Sequence, residues 1–335
     1  MSLWPYVRPG TTGRELLAWR LERASAPGTL WSALVADGVM LPLEPATLAI
    51  RQLALRKDRF VLLLEGAAPD GAVARFIAKG YADDRAGRLD GNHRLLWEGG
   101  LGDRAATVRT NEPIAVSPSL GLAISEWLPG VHPAPSDVEG AARSGAAAAR
   151  LHGTGAPLEP AFTVAAFLDN VARHVRRLKR RAPELRPASK AAGRALEAAA
   201  PTIRFELSAP LNGDLSLGSF LLADERVYLI DWDNSCRFDP AWDVGHYVTQ
   251  LVRFGAERGE ESAGSREAFL RSYEAVSGDR LGPDWSRRLA FFEAAACLHK
   301  TYAAARVGRD GWEGVAAHLV ERALALAAPL APATE

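Results

Sequence analysis

The residues of this chain most able to do chemistry lie in one stretch, Leu211-Asn212-Gly213-Asp214-Leu215-Ser216-Leu217-Gly218-Ser219-Phe220, followed by Val227-Tyr228-Leu229-Ile230-Asp231-Trp232-Asp233. One carboxylate, Asp214, sits in a loop of small residues, and a second, Asp231, at the end of an apolar strand. The Ala223-Asp224-Glu225-Arg226 turn lies between them, so the pattern predicts loop, strand, turn and returning strand. Two carboxylates brought together this way suit Mg2+-nucleotide chemistry. One can orient a substrate hydroxyl while the other holds the metal on the phosphates. A carboxylate ending a buried strand is costly unless paired or metal-bound, which favours Asp231 as the ligand. Asp233 shares its face if the strand continues, and is read as a turn residue. The bland alternatives are a surface-turn aspartate for Asp214 and a turn-capping one for Asp231; finding both in register weighs against them.

The stretch resembles the catalytic core of the aminoglycoside phosphotransferase-like kinases, relatives of choline kinase and of the protein kinases. There the loop reads roughly His-Gly-Asp-x-x-x-x-Asn, the second carboxylate opens an Ile-Asp-Trp or Ile-Asp-Phe segment, and a Gly-Asp-Pro-x-x-Asp run follows. This chain has Asn212-Gly213-Asp214 with Ser219, then Ile230-Asp231-Trp232-Asp233, then Phe238-Asp239-Pro240-Ala241-Trp242-Asp243. Asn212 therefore stands for the histidine, Ser219 for the metal-binding asparagine and Phe238 for the glycine. The likeness covers most of the chain and is strongest between 205 and 250.

The resemblance implies an α+β, protein-kinase-like two-lobed fold. A small strand-rich N-lobe, 1–127, would bind nucleotide, and a larger helical C-lobe, 128–335, would carry the catalytic loop and acceptor site, with the nucleotide between the lobes. It implies ATP or GTP with Mg2+, and transfer of the γ-phosphoryl group to a hydroxyl of a small acceptor of the aminoglycoside, sugar or amino-alcohol class. Asp214 would orient the acceptor and Asp231 would hold metal. Ser219 is either a second metal contact through its hydroxyl, as in P-loops, or a small loop residue without one. An amide at Asn212 can supply the hydrogen bonds of a structural imidazole.

Lys79, ending Phe76-Ile77-Ala78-Lys79, would pair with the α/β-phosphates; the alternative is a solvent-facing lysine on an edge strand. Its acidic partner would be Glu98 in preference to Asp90; the two are about two helical turns apart and so on one helix face. Ser125, Glu126 and Trp127 resemble the hinge whose backbone reads adenine. The glycine-rich phosphate loop is absent; Arg56, Lys57 or Arg59 could neutralise phosphate instead, although such a cluster is more often a solvated turn. Asp239–Asp243 is read as positioning the loop after Asp231, with Asp239 capping a helix that starts at Pro240. Loss of the motif's histidine and asparagine leaves a rival reading, a catalytically inactive pseudokinase that binds nucleotide or protein.

Around these motifs the apolar spacing predicts a helix over 12–24, with Leu16, Leu17 and Leu21 on one face. Strands follow over 47–55, 59–65 and 73–81, separated by turns at Lys57-Asp58 and Pro69-Asp70-Gly71. A helix over 90–98 ended by Gly99-Gly100 and a strand over 121–127 complete the first part. After Pro129-Gly130 the chain turns helical. Ser136 is expected to cap a helix reaching His152, and Thr163 one whose stripe is Val164, Phe167, Leu168, Val171, Val175 and Leu178. Further helices are expected over 188–200, 241–256, 265–276, 286–306 and 312–327.

Composition sets the boundaries. At 48% hydrophobic and 24% charged residues the chain reads as an ordinary globular protein. Forty basic and forty acidic side chains cancel, so nothing global argues for nucleic acid or a membrane surface. Cys236 and Cys297 cannot make a disulfide framework. With no signal-like start and no apolar run of spanning length, a cytoplasmic location is the expectation. The histidines show no metal-ligand spacing, and Arg173–Arg181 reads as a solvated face. Acidic Glu257, Glu260 and Glu261 fit either a solvated loop or, by the resemblance, a site for cationic acceptors.

Overall fold

Hairpins written into the sequence build the first part of the chain. In the computed structural model, which describes residues 11–331, contacts divide the chain into two units. One comprises 11–105 with Arg109–Pro129, the other Ala106–Val108 with 130–331. The first holds α1 (Thr11–Ser25), α2 (Pro27–Ala36), β1 (Ala49–Leu55), β2 (Arg59–Ala67), β3 (Val73–Tyr81), α3 (Ala86–Leu96), β5 (Pro113–Ser117) and β6 (Leu122–Glu126), with the short β4 (Val108–Thr110) at the boundary. Its sheet runs β1-β2-β3-β6-β5, antiparallel throughout.

The period of two decides which face is buried. Phe60, Leu62 and Leu64 of β2 and Phe76 and Ala78 of β3 pack with Leu17 of α1 and Leu30 and Leu34 of α2. Tyr81, on the opposite parity, packs with Ala86 and Leu89 of α3. Lys79 shares that second face. It lies opposite Val61 of β2 and Ala123 of β6, so β3 is an interior strand and the edge-strand reading of Lys79 falls away.

Three elements differ from expectation. The helix α2 was not foreseen: Pro27 starts it, and its run of apolar residues mimics a strand. The helix expected over 90–98 begins earlier and ends at Leu96. Glu98 falls in a π-turn, Trp97–Leu101, where Gly100 takes φ 115°. The β5 strand has too few alternating residues to register as one.

The second unit contains α4 (Val138–His152), α5 (Val164–Leu178), α6 (Arg186–Ala199), β7 (Ala209–Leu211), β8 (Phe220–Ala223), β9 (Arg226–Leu229), β10 (Cys236–Phe238), α7 (Pro240–Arg258), α8 (Ala263–Ser277), α9 (Trp285–Val307) and α10 (Trp312–Ala327). Asp137, not Ser136, caps α4, accepting from the Gly140 N–H at 2.8 Å; Ser136 donates to Glu260 instead. Thr163 caps α5 as expected, and Phe167, Val171, Val175 and Leu178 of its stripe are buried.

The α9 helix is buried nearly all round and lies inside the unit. It approaches α7 at Gly245, where a Cβ would stand 2.7 Å from the Glu293 nitrogen. Buried Glu293 takes Arg266 of α8 at 2.9 Å and Arg322 of α10 at 2.8 Å, tying three helices together. The β8–β9 hairpin pairs Phe220 with Leu229, and β7 pairs Leu211 with Cys236 of β10. Both cysteines are buried. Among the described residues, no helix is long and apolar enough to cross a membrane.

Candidate active site

The loop after β7 closes on itself before anything else touches it. The Ser216 N–H donates to Ser219 Oγ at 3.1 Å, and the Ser216 side chain accepts the Ser219 N–H in a capping box. Ser219 Oγ donates to Asn212 Oδ1 at 3.4 Å. The Asn212 amide nitrogen in turn donates to the Ile230 and Asp231 carbonyls, at 3.2 and 3.1 Å. Asn212 thus clasps the Asp214 loop to the Asp231 turn, the structural work foreseen for an amide in place of imidazole. Gly213, at φ 81°, lies against that turn, where a Cβ would collide with the Asn234 carbonyl oxygen.

The first two turns of α7 hold this loop. Asp243 Oδ2 accepts from the Asn212 N–H at 2.8 Å and its Oδ1 from the Gly213 N–H at 2.9 Å. Trp242 Nε1 donates to the Gly213 carbonyl at 3.0 Å, and His246 Nδ1 to the Leu215 carbonyl at 2.7 Å. Residues 242, 243 and 246 project together because neighbours three or four apart share a helix face. The Asp239–Asp243 run therefore positions the loop carrying Asp214, rather than the loop after Asp231 as the sequence suggested.

Asp239 caps α7 as expected, accepting from the Ala241 N–H at 2.9 Å. It also takes the Glu206 N–H at 2.8 Å and Arg288 at 3.1 Å. Burial raises its pKa, with Arg288 opposing. Behind Asp243, His152 Nε2 lies 3.3 Å from its Oδ2, and His152 Nδ1 lies 2.8 Å from the Tyr273 hydroxyl.

Asp214 is 28% exposed. Its Oδ1 lies 3.2 Å from His246 Nε2 and 3.6 Å from Lys300 Nζ. Burial works to raise its pKa, but cationic groups, Lys300 among them, bring it below the usual carboxylate range. The group is therefore a carboxylate at neutral pH, suited to accept a hydrogen bond from a hydroxyl. Burial, reinforced by Lys300, pushes His246 down to about 3, so the imidazole is neutral.

Asp231 corrects the sequence argument. The strand ends at Leu229, and Asp231 is exposed, in the left-handed conformation at φ 66°, ψ 64°, ahead of a short turn over Trp232–Asn234. Burial is not what marks it. Backbone strain is: this conformation is uncommon outside glycine, although aspartate tolerates it better than most, and such outliers gather at functional sites. Asp233 is buried in that turn, not aligned along a strand. Ser219 is buried and its hydroxyl closes the loop.

A Mg2+ ion riding on phosphates needs one or two protein carboxylates. An exposed carboxylate on a strained turn, as Asp231 is, is such a donor.

In the first unit Lys79 is half-buried beside His93 of α3, whose pKa is pushed down to about 3 by burial first and by Lys79 and Arg94. Of the two candidate acids, Glu98 is exposed on the π-turn. Asp90 is buried and bonded to Arg94 at 2.7 Å. Ser125 Oγ accepts from Asn111 at 2.7 Å, and Glu126 takes Arg109 through two bonds, 2.7 and 3.1 Å. The Trp127 N–H donates to the Arg75 carbonyl at 3.3 Å, and the Arg75 guanidinium lies over its ring.

Sequence reasoning missed Trp242, His246 and Lys300, and misplaced the target of Asp243. Asp243 and His246 fall three apart on a helix, a spacing that could have paired them. Lys300 is one of few lysines and sits in a helix of buried alanines.

The model of the phosphotransferase enzyme family matches residues 58–291. No curated protein matches the chain. Among solved structures, a choline/ethanolamine kinase family protein from Mesorhizobium loti aligns with a TM-score of 0.60 at 20% identity, covering 92% of this chain and 93% of that one. An amicoumacin kinase in complex with AMP-PNP and Ca2+ aligns at 0.59 and 13%, covering 93% and 97%. A thermostable mutant of an aminoglycoside phosphotransferase, in a ternary complex with ADP and hygromycin B, aligns at 0.59 and 15%, covering 92% and 100%. At these identities the likeness is one of fold, and the fold is the protein-kinase-like α+β fold of those enzymes.

Proposed function

The chain belongs to the phosphotransferase enzyme family, and from that premise we propose that it is a small-molecule kinase that transfers the γ-phosphoryl group of ATP to an acceptor hydroxyl. One observation carries the reading: Asp214, charged and half-buried, sits in a loop pinned by Asp243, Trp242 and His246 and clasped by Asn212 to the Asp231 turn. A rigid loop presenting one ionised carboxylate serves phosphoryl transfer, where positioning and electrostatics supply most of the catalysis. Asp214 accepts the hydrogen bond of the acceptor hydroxyl and aims its oxygen. Asp231 holds Mg2+, which supplies charge neutralisation at the phosphate oxygens. Lys79 is assigned to phosphate and the Ser125–Trp127 backbone to the base, both on the family pattern. The fold relatives are named for amino-alcohol and aminoglycoside substrates, so those classes and sugars are the acceptors to try.

Ser219 favours the rival reading. Where the family pattern has an amide, this chain has a buried hydroxyl already engaged with Ser216 and Asn212. A pseudokinase would bind MgATP without turnover. The separating experiment is ADP formation by the purified chain at saturating Mg2+ across aminoglycosides, sugars and amino alcohols, alongside a thermal shift with MgATP. Turnover with one acceptor supports the kinase. A MgATP shift without turnover supports the pseudokinase, and neither signal rejects both.

A further inference from the structure

Two buried side chains crowd one oxygen of Asp214, and they are not equivalent. A carbonyl can only accept, so the His246 bond to Leu215 fixes its proton on Nδ1. Its Nε2, buried and without a hydrogen-bond partner among the described residues, then turns a lone pair towards Asp214 Oδ1 at 3.2 Å. Taken alone, that contact repels the charged carboxylate. Lys300 answers it from α9: Nζ lies 3.6 Å from the same oxygen, and the side chain is only 3% exposed. Buried alanines flank it at Ala296 and Ala303, and an apolar side chain of similar length would fill the space without the cost of burying an ammonium. Packing therefore does not account for a lysine here.

We propose that Lys300 is a positioning residue for the phosphoryl transfer, a fixed cation that offsets the His246 lone pair and holds the Asp214 carboxylate in the orientation that meets the acceptor hydroxyl. The proposal rests on the kinase reading above. Lys300 acts through Asp214 and needs no contact with the nucleotide. Its loss should therefore appear in kcat and leave MgATP binding unchanged.

The experiment compares Lys300→Met, Lys300→Arg and Asp214→Asn in the full chain. It reads melting temperature, the thermal shift with MgATP, and ADP release from MgATP with water as acceptor and then with each acceptor of the panel. Lys300→Met should melt somewhat lower than wild type, since Asp214 loses its neighbouring cation, but keep the MgATP shift and the KM for MgATP. Its kcat should fall roughly 10- to 100-fold, the scale for residues that orient a functional group. Lys300→Arg should recover most of the loss, and it decides the matter if the methionine variant does not fold. A Lys300→Met enzyme at wild-type rate, while Asp214→Asn is slow, overturns the proposal and leaves the kinase reading standing. Loss of turnover in step with melting temperature and MgATP shift, unrescued by arginine, makes Lys300 structural and overturns it too. Full turnover by Asp214→Asn, or none by wild type with any acceptor, overturns the kinase reading and the inference with it.

Discussion

At the scale of single residues, the loop gives each side chain a separable effect. Asp214→Asn keeps shape and loses charge. Phosphoryl transfer should fall by about 10²-fold or more, the usual size for a positioned acid–base group, with the melting temperature little changed. Full turnover by that variant would remove Asp214 from the mechanism. Gly213→Ala meets two obstacles at once, a positive φ of 81° and the Asn234 carbonyl where the methyl must go. It should lower the melting temperature and displace Asp214 together, so a stable, fully active variant would contradict the loop geometry. Asp231→Ala removes an exposed side chain from a strained turn. The fold should survive while the MgATP-specific thermal shift disappears, since a ligand stabilises the native state in proportion to its affinity. An equal shift in variant and wild type would take the metal away from Asp231.

At the scale of elements, α7 is the part on which the loop depends, and the Asp239–Arg288 pair fixes where α7 begins. Both side chains are almost fully buried, 3.1 Å apart. Removing one partner strands the other charge in the interior, which costs roughly 3–5 kcal/mol, whereas replacing both with apolar residues of similar volume is far less damaging. Arg288→Met alone should therefore be strongly destabilised. A double variant, Asp239→Asn with Arg288→Met, should regain part of the loss, because the amide can still accept at the helix cap. Chemical denaturation of the two singles and the double measures the coupling, and additive losses would show that the pair does not act as a unit. The same logic explains Glu293, whose two arginines come from α8 and α10.

At the scale of the whole molecule, buried neutral histidines tie stability to pH. Burial pushes His93, His174 and His246 each down to about 3, and His299 also downward. His299 stacks on His174 with centroids 4.6 Å apart. A histidine whose folded pKa lies below its ordinary value of 6.5 binds its proton more readily in the unfolded chain. Its stabilisation is complete above about pH 6.5 and drains as pH falls towards 3. Each should cost about 1 kcal/mol over the first pH unit below 6.5. The melting temperature should therefore drop clearly between pH 7.5 and 5.5, and His174→Gln should flatten the slope. A melting temperature independent of pH over that range would show that these imidazoles are not held neutral.

What the sequence determined by itself was mostly local. Asn212-Gly213-Asp214 and Ile230-Asp231-Trp232 could be recognised because a tight loop and a strand end impose residue types on consecutive positions. The strands β1 to β3 followed from alternation, and α5 and α7 to α10 from helical spacing with caps such as Thr163 and Asp239. Tertiary structure decided the rest. Asp243 finds the N–H groups of Asn212 and Gly213 some thirty residues earlier, and Lys300 reaches Asp214 from a helix near the end of the chain. No local pattern records such a meeting, because an ion pair across packed helices depends on helix rotation and crossing, which long-range packing sets. The exposure of Asp231 was misjudged for a related reason. Strand periodicity cannot show where a strand stops, and one residue in the left-handed conformation turned the carboxylate outward.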